Sequence, residues 1–119
     1  MREIKNIRNA LWVGRFTKGE RELFDECRMQ IEKSSSNYKE LMLFCMDCAL
    51  EDIESGDHKM AAREIGVIHE LPVDDEDFEE WDEAWFYKNQ LSEYFDKNKN
   101  IDRVKRFIDI LAKSQLQES

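Results

Sequence analysis

The chain has little proline or glycine and no long apolar run. One proline and four glycines in 119 residues are too few for the closely spaced turns of a short-stranded all-β fold. No stretch approaches the roughly 20 apolar residues that a transmembrane helix needs. The first five residues, MREIK, also lack the apolar segment of a secretory signal. These absences predict a cytoplasmic protein that does not interact with a membrane.

Signatures of catalysis are also missing. The chain contains no glycine-rich phosphate loop and no G-x-S-x-G sequence. Its two histidines, His58 and His69, lack the E-x-x-H spacing of di-iron helical bundles. Cys45 and Cys48 have C-x-x-C spacing, but they lie in an apolar helical stretch and no second pair of zinc ligands exists. We therefore expect no catalytic residues, no metal and no cofactor, and we expect reduced cysteines that pack in the core.

Apolar residues recur at helical spacing in every long segment, and start and stop signals bound these segments. Thr17 followed by Glu20 matches a capping box, Asp57 can cap a later helix, and Pro72 cannot continue that helix. The predicted helices cover residues 18–33, 37–54, 58–70, 75–96 and 101–115. Residues 1–16 also keep helical spacing in their first part, and we expect a short and less ordered N-terminal helix there.

The apolar positions of these helices predict which sides face the core. The helix over 37–54 carries two adjacent apolar stripes, so it is predicted to be the central helix. The inner side of the helix over 58–70 is predicted to contain Ala61, Ala62, Ile65, Ile68 and His69. The inner side of the last helix is predicted to contain Ile101, Val104, Phe107, Ile108 and Leu111. The sequence therefore predicts an all-α protein, a single domain over 1–119 built as a bundle of five to six helices with short connections.

Charge is distributed unevenly along the chain. The formal net charge is −9, but residues 47–96 contain 17 acids and 3 bases, whereas residues 1–46 and 97–119 have net charges of +2 and +3. A segment this negative repels phosphate, so we do not expect nucleic acid to be a ligand. It would attract a basic protein. The alternative interpretation is a solvated acidic face that only aids solubility.

Residues 74–83 hold eight acids in ten positions, interrupted by Phe78 and Trp81. Phe78, Trp81 and Trp85 recur at i, i+3 and i+7, which is one stripe of a helix. The segment therefore predicts a folded acidic helix and not a disordered acidic tail. The acids predicted to bind a partner are Asp75, Glu76, Glu79, Glu80, Asp82 and Glu83.

Phe86 is the apolar candidate for the same surface. On a helical wheel it falls among the acids, close to Glu79 and Glu83. An aromatic side chain surrounded by carboxylates is typical of an interface anchor with a charged rim. The alternative is that a neighbouring helix covers this side, because Tyr87 and Leu91 widen the apolar arc towards it.

Two segments carry a resemblance to a known family. Residues 61–72, AAREIGVIHELP, and residues 81–87, WDEAWFY, resemble small all-helical immunity proteins of bacterial polymorphic-toxin and contact-dependent growth inhibition systems. The likeness spans about residues 38–115, and the E-I-G-x-I-H-x-L-P segment is its most distinctive part. The resemblance implies a cytoplasmic protein, without enzymatic activity, that binds and neutralises one cognate toxin domain, often a nuclease.

Two other functions remain open from the residues alone. One is a regulatory adaptor that binds a basic host protein. The other is a small metal-dependent enzyme that uses His69 and nearby carboxylates. The sequence leaves a homo-oligomer open without indicating one, because the apolar faces of the last two predicted helices would suit a dimer as well as a core.

Overall fold

The computed structural model describes residues 2–36, 38–70 and 101–116, and throughout these ranges the regular structure is helical. The helices are α1 (Arg2–Trp12), α2 (Lys18–Lys33), α3 (Lys39–Ser55), α4 (His58–Glu70) and α5 (Ile101–Leu116). The described ranges contain no strand, so the predicted all-α class is confirmed. The helix predicted over 75–96 lies outside the described residues.

Local hydrogen bonds explain why α2 begins at Lys18. Thr17 is the N-cap residue and has an extended backbone, with φ −82° and ψ −178°. The carboxylate of Glu20 accepts the backbone N–H of Thr17 at 3.0 Å, and it also accepts the Thr17 hydroxyl. The Thr17 side chain in turn bonds to the N3 backbone, so the predicted capping box is confirmed. The hydrogen bond from the Thr17 hydroxyl is the main cause that lowers the pKa of Glu20.

The turn between α3 and α4 is two residues long. Gly56 ends α3 with φ +90°, a left-handed conformation in which glycine carries no Cβ penalty. Asp57 then accepts the backbone N–H of Met60 on its Oδ1 atom at 3.1 Å, so it caps α4 as predicted. Because the link is this short, α3 and α4 pack side by side.

The helices share one core. Helix α4 packs against α1 and α3, and α3 also contacts α2 and α5. The contacts of α3 with three helices agree with the central position predicted for it. The shorter α4 is nevertheless the more fully enclosed of the two, because residues 60–62 and 64–68 are all buried. The largest buried side chains are Tyr38, Phe24, Phe107, Ile4, Ile7, Leu11, Ile31, Leu41, Met42 and Met46. Each of the aliphatic ones stabilises the fold by about 1.5–3 kcal/mol through burial.

Three predicted inner positions are wrong. Ile101 and Ile108 are exposed, because α5 turns Phe107, Ile110 and Leu111 towards the core and Ile108 lies about 100° around the helix from Phe107. His69 is exposed as well. Its position in the last turn of α4, beside the helix terminus, lets the imidazole reach the surface.

None of the described helices combines the length and the apolarity that a membrane span requires.

Candidate functional site

The residues that the sequence singles out for partner binding lie outside the described residues. They are Asp75, Glu76, Glu79, Glu80, Asp82, Glu83 and Phe86. The apolar stripe predicted beside them is also outside, at Phe78, Trp81 and Trp85. The acidic half of the chain, residues 47–96, is described from 47 to 70. This part shows which acids of residues 47–70 are exposed and which form ion pairs within the molecule.

α3 presents its acids on one face. Glu40, Asp47, Glu51 and Glu54 fall within about 60° of one another at 100° per residue, and all four are exposed. We call these four residues the α3 acidic face. It is a negative surface on a helix whose opposite side is anchored in the core. On charge alone it is therefore a second candidate for binding a basic partner.

Arginines from neighbouring helices neutralise most of the α3 acidic face. The ion pairs are Arg28–Asp47 at 2.5 Å, Arg103–Glu51 at 2.7 Å and Arg106–Glu40 at 3.7 Å. Glu54 makes no ion pair with any described residue. An acid that is already paired within the molecule contributes little to a long-range field, so the α3 acidic face is a weak source of electrostatic steering.

The most buried charges of the described part surround Arg103. The Arg103 Nη1 atom donates to Asp52 Oδ2 at 2.7 Å and to Glu64 Oε2 at 3.4 Å, and Nη2 donates to Glu51 Oε2 at 2.7 Å. We call these four residues the Arg103 cluster. It connects α5 to both α3 and α4, across a sequence separation of 39 to 52 residues.

The members of the Arg103 cluster differ in their access to water. Glu64 is fully buried, Asp52 is 9% exposed, and the Glu51 side chain is 69% exposed. The Oε1 atom of Glu64 is buried and has no hydrogen-bond partner among the described residues. Burial raises the pKa of Asp52, against the opposing effect of Arg103. Burial also acts to lower the pKa of Arg103, but its hydrogen bonds to Asp52 and Glu51 outweigh this and raise it, so the guanidinium stays charged.

The sequence does not single out Glu64, although one signal is visible in hindsight. Glu64 is three residues after Ala61 and four before Ile68, so it lies near the apolar stripe of α4 and not opposite to it. Its partner Arg103 is 39 residues away in the chain. No local pattern connects the two, and only the packing of α5 on α3 brings Arg103 to this position.

The three cysteines are free and buried. Burial raises the pKa of the Cys27 thiol to about 11 and that of the Cys48 thiol to about 12, and it raises the pKa of Cys45 well above the usual range. A thiol with a raised pKa is not ionised at neutral pH, and the thiolate is the form that attacks substrates and binds metals. The geometry therefore supports core packing as the role of Cys45 and Cys48.

The histidines lie near the two ends of α4. His58 has its Nδ1 atom 3.3 Å from the backbone oxygen of Gly56. His69 is exposed in the last turn. Within the part of the chain that the structure describes, no group of three or more His, Cys, Asp or Glu side chains is placed to hold a metal ion.

A few apolar side chains of the described part reach the surface. Trp12 is 51% exposed at the end of α1, and the ammonium nitrogen of Lys59 lies 5.9 Å from its ring centroid. The next residue, Val13, is 74% exposed. Scattered apolar side chains of this kind are normal on protein surfaces, so they do not by themselves mark a binding site.

Comparison of the chain with protein-family models, with curated proteins and with solved structures found no match.

Proposed function

We propose that this protein is a non-catalytic immunity protein of the cytoplasm, which binds and neutralises a cognate toxin domain with a basic surface, such as a nuclease. The observation that carries the proposal is the charge distribution: residues 47–96 contain 17 acids and 3 bases, while the rest of the chain is net positive. The resemblance of residues 61–72 and 81–87 to immunity proteins supplies the class of partner.

The ion pairs of the described residues support this choice of surface. Where the acidic half is described, its acids are largely used within the molecule, as the Arg28–Asp47 and Arg103–Glu51 pairs show. Residues 74–83 hold eight further acids and no base within the same ten positions. This segment therefore has the largest local excess of negative charge in the sequence, and we propose that a partner binds there.

The proposed mechanism separates attraction from retention. A nuclease domain presents cationic side chains to the phosphates of its substrate, and the carboxylates of residues 75–83 complement such a surface. Long-range attraction of this kind raises the association rate, and its effect falls with ionic strength. Apolar contacts made by Phe86 in the centre of the interface would then slow dissociation.

The described residues are better suited to binding than to turnover. Their three thiols are buried with raised pKa values, and Arg103 is held by three carboxylates of its own chain. An arginine with these contacts is not available to a substrate phosphate. A rigid helical body that presents one acidic segment is therefore the arrangement that we propose.

Co-expression tests the function directly. The open reading frame upstream of this chain should encode a large protein whose C-terminal domain kills the cell when it is expressed alone. We expect full rescue when this protein is co-expressed, together with a stable complex of the two purified proteins. A neighbouring domain whose toxicity is unaffected by this chain, or an upstream frame with no toxic domain, would contradict the proposal.

Charge-neutralising variants test the proposed surface. The variant set replaces Asp75, Glu76, Glu79, Glu80, Asp82 and Glu83 with Asn or Gln. We expect its association rate with the toxin domain to fall by about tenfold or more at low salt, with a weaker salt dependence.

The matched control changes the net charge by the same amount elsewhere on the molecule. It neutralises six exposed acids outside the acidic half: Glu3, Glu22, Asp25, Glu26, Glu32 and Glu40. If the two sets slow association equally, total charge and not the acidic segment attracts the partner.

The anchor is tested separately through dissociation. We expect Phe86→Ala to raise the dissociation rate about 30-fold, which corresponds to the roughly 2 kcal/mol of an interface hot spot. Trp12→Ala removes an exposed aromatic from α1 and serves as the control, with no expected change in the dissociation rate.

A regulatory adaptor would behave differently in these experiments. It would capture a basic host protein at low ionic strength, and its co-expression would not rescue cells from a toxin.

A further inference from the structure

The Arg103 cluster contains more negative charge than positive. If all its members were ionised, Glu51, Asp52 and Glu64 would carry three negative charges around the single positive charge of Arg103. Water screens Glu51, whose side chain is 69% exposed. Asp52 and Glu64 are buried, and both contact the same Nη1 atom, which places their carboxylates within about 6 Å of each other. Burying two like charges so close together, with one cation between them, is strongly unfavourable.

The surrounding helices supply no second cation among the described residues. α3 contributes Glu51, Asp52 and the thiol of Cys48, which is neutral because burial raises its pKa to about 12. α5 contributes Arg103. The buried side chains of α1, the other helix packed on α4, are all apolar. A bound proton is therefore the simplest way in which the cluster can lower its negative charge.

We propose that Glu64 holds this proton, so that it is a neutral carboxylic acid in the folded protein and forms a pH-sensitive contact between α4 and α5. Glu64 is fully buried, whereas Asp52 retains 9% exposure. Arg103 lies 2.7 Å from Asp52 but 3.4 Å from Glu64, so its charge stabilises an ionised Asp52 better. The Oε1 atom of Glu64 lacks a partner among the described residues, and an unpaired oxygen costs less in a neutral acid than in an anion.

The proton has a consequence for stability. In the unfolded chain Glu64 ionises near pH 4.3, like any glutamate in water. Above that pH the folded state holds one proton more than the unfolded state until the folded Glu64 itself ionises. Stability therefore falls as pH rises through this window, and the equilibrium constant for folding decreases up to tenfold per pH unit from this residue. Below about pH 4.3 both states are protonated and the effect disappears.

The experiment measures the protonation state of Glu64 in the full chain. Glutamate is labelled with ¹³C at its side-chain carboxyl, and the NMR resonances are followed from about pH 3 to pH 9, across the usual glutamate range. Glu64→Gln identifies the Glu64 resonance by its loss. Glu54→Gln, at an exposed position on α3, is the matched control for the effect of a Glu-to-Gln change on stability. If Glu64→Gln does not fold, the resonance is assigned in the wild-type protein through its bonds to the backbone.

The expected result is that the Glu64 resonance keeps the chemical shift of a protonated acid at pH 7. Glutamine is also neutral and similar in shape to the protonated acid. Glu64→Gln should therefore leave the folding equilibrium constant at pH 7 unchanged or higher, and it should remove the predicted decrease with pH. A Glu64 resonance with the chemical shift of an ionised carboxylate at pH 7 would overturn the proposal. So would a Glu64→Gln protein whose stability shows the same pH dependence as the wild-type protein.

Discussion

Replacement of Arg103 by methionine should destabilise the protein by about 3 kcal/mol, because it removes the cation that the three acidic residues of the Arg103 cluster share. Methionine keeps an unbranched stem of similar shape, so the change removes mainly the charge and the donors. The buried Asp52 then loses its 2.7 Å partner in a place that water reaches poorly. This loss, and not the number of broken contacts, sets the expected size of the effect.

The magnitude follows from the exposure of each partner. The contact with Glu51 is worth at most about 1 kcal/mol, because that side chain is 69% exposed. Removing one partner of a buried pair costs about 3–5 kcal/mol. The Arg103 side chain is 21% exposed and water can partly enter in its place, so the loss at Asp52 lies below that range, at about 2–3 kcal/mol. Together these contributions give about 3 kcal/mol, a large part of the stability of a domain of this size.

Urea unfolding, followed by circular dichroism and tryptophan fluorescence, measures this effect. Arg106→Met is the matched control on the same helix, since its contacts with Glu40 at 3.7 Å and Asp109 at 3.5 Å are exposed. It should cost about 0.5 kcal/mol or less. The double variant Arg103→Met with Asp52→Asn should recover part of the loss, because the orphaned charge is gone. If Arg103→Met costs no more than Arg106→Met, the Arg103 cluster does not hold α5 to α3.

Three further predictions use the same unfolding assay. Gly56→Ala should cost about 1 kcal/mol, because φ is +90° and a Cβ atom there meets nothing within 4 Å, so the cost is backbone strain alone. Gly19→Ala should instead stabilise the protein by about 0.5 kcal/mol, since Gly19 is helical and the nearest atom to its Cβ is 3.8 Å away; equal effects at the two glycines would contradict this. The pKa of Glu20 is lowered from 4.5, so its contribution is present above that pH and is lost as the pH falls through the folded value; Glu20→Gln should abolish this acid-dependent loss. Leu41→Ala should cost about 3 kcal/mol through the cavity it leaves, while Met29→Ala, at a half-exposed position, should change stability by about 0.5 kcal/mol or less.

Most of the described fold could be predicted because its helix ends are encoded locally. α2 and α4 occupy residues 18–33 and 58–70, the predicted bounds, since Thr17, Glu20 and Asp57 fix their first turns through hydrogen bonds within three residues. The predicted bounds of α3 and α5 differ from the structure by at most two residues. Such boundaries depend only on neighbouring residues, which is the information that a single sequence contains.

Features that depend on packing between distant helices could not be predicted in this way. Glutamate is a residue type that usually lies at the surface. Glu64 is buried nevertheless, beside Arg103, which is 39 residues later in the chain. Isoleucine is a residue type that usually lies in the core, but the orientation of α5 exposes Ile108 and buries Ile110 instead. The acids at 75–83 stay a prediction, because they lie outside the described residues. The candidate site is therefore supported by sequence and charge, whereas the Arg103 cluster is visible only in the structure.

The burial of all three thiols affects how the cysteines of this protein respond to oxidants. Cys27, Cys45 and Cys48 are at most 5% exposed, and each thiol must lose its proton before it reacts. Peroxide or an alkylating reagent therefore reaches these side chains mainly in molecules whose helices have opened. Cysteine oxidation would therefore accumulate in partly unfolded copies, while the buried thiols of intact copies stay unreacted during oxidative stress.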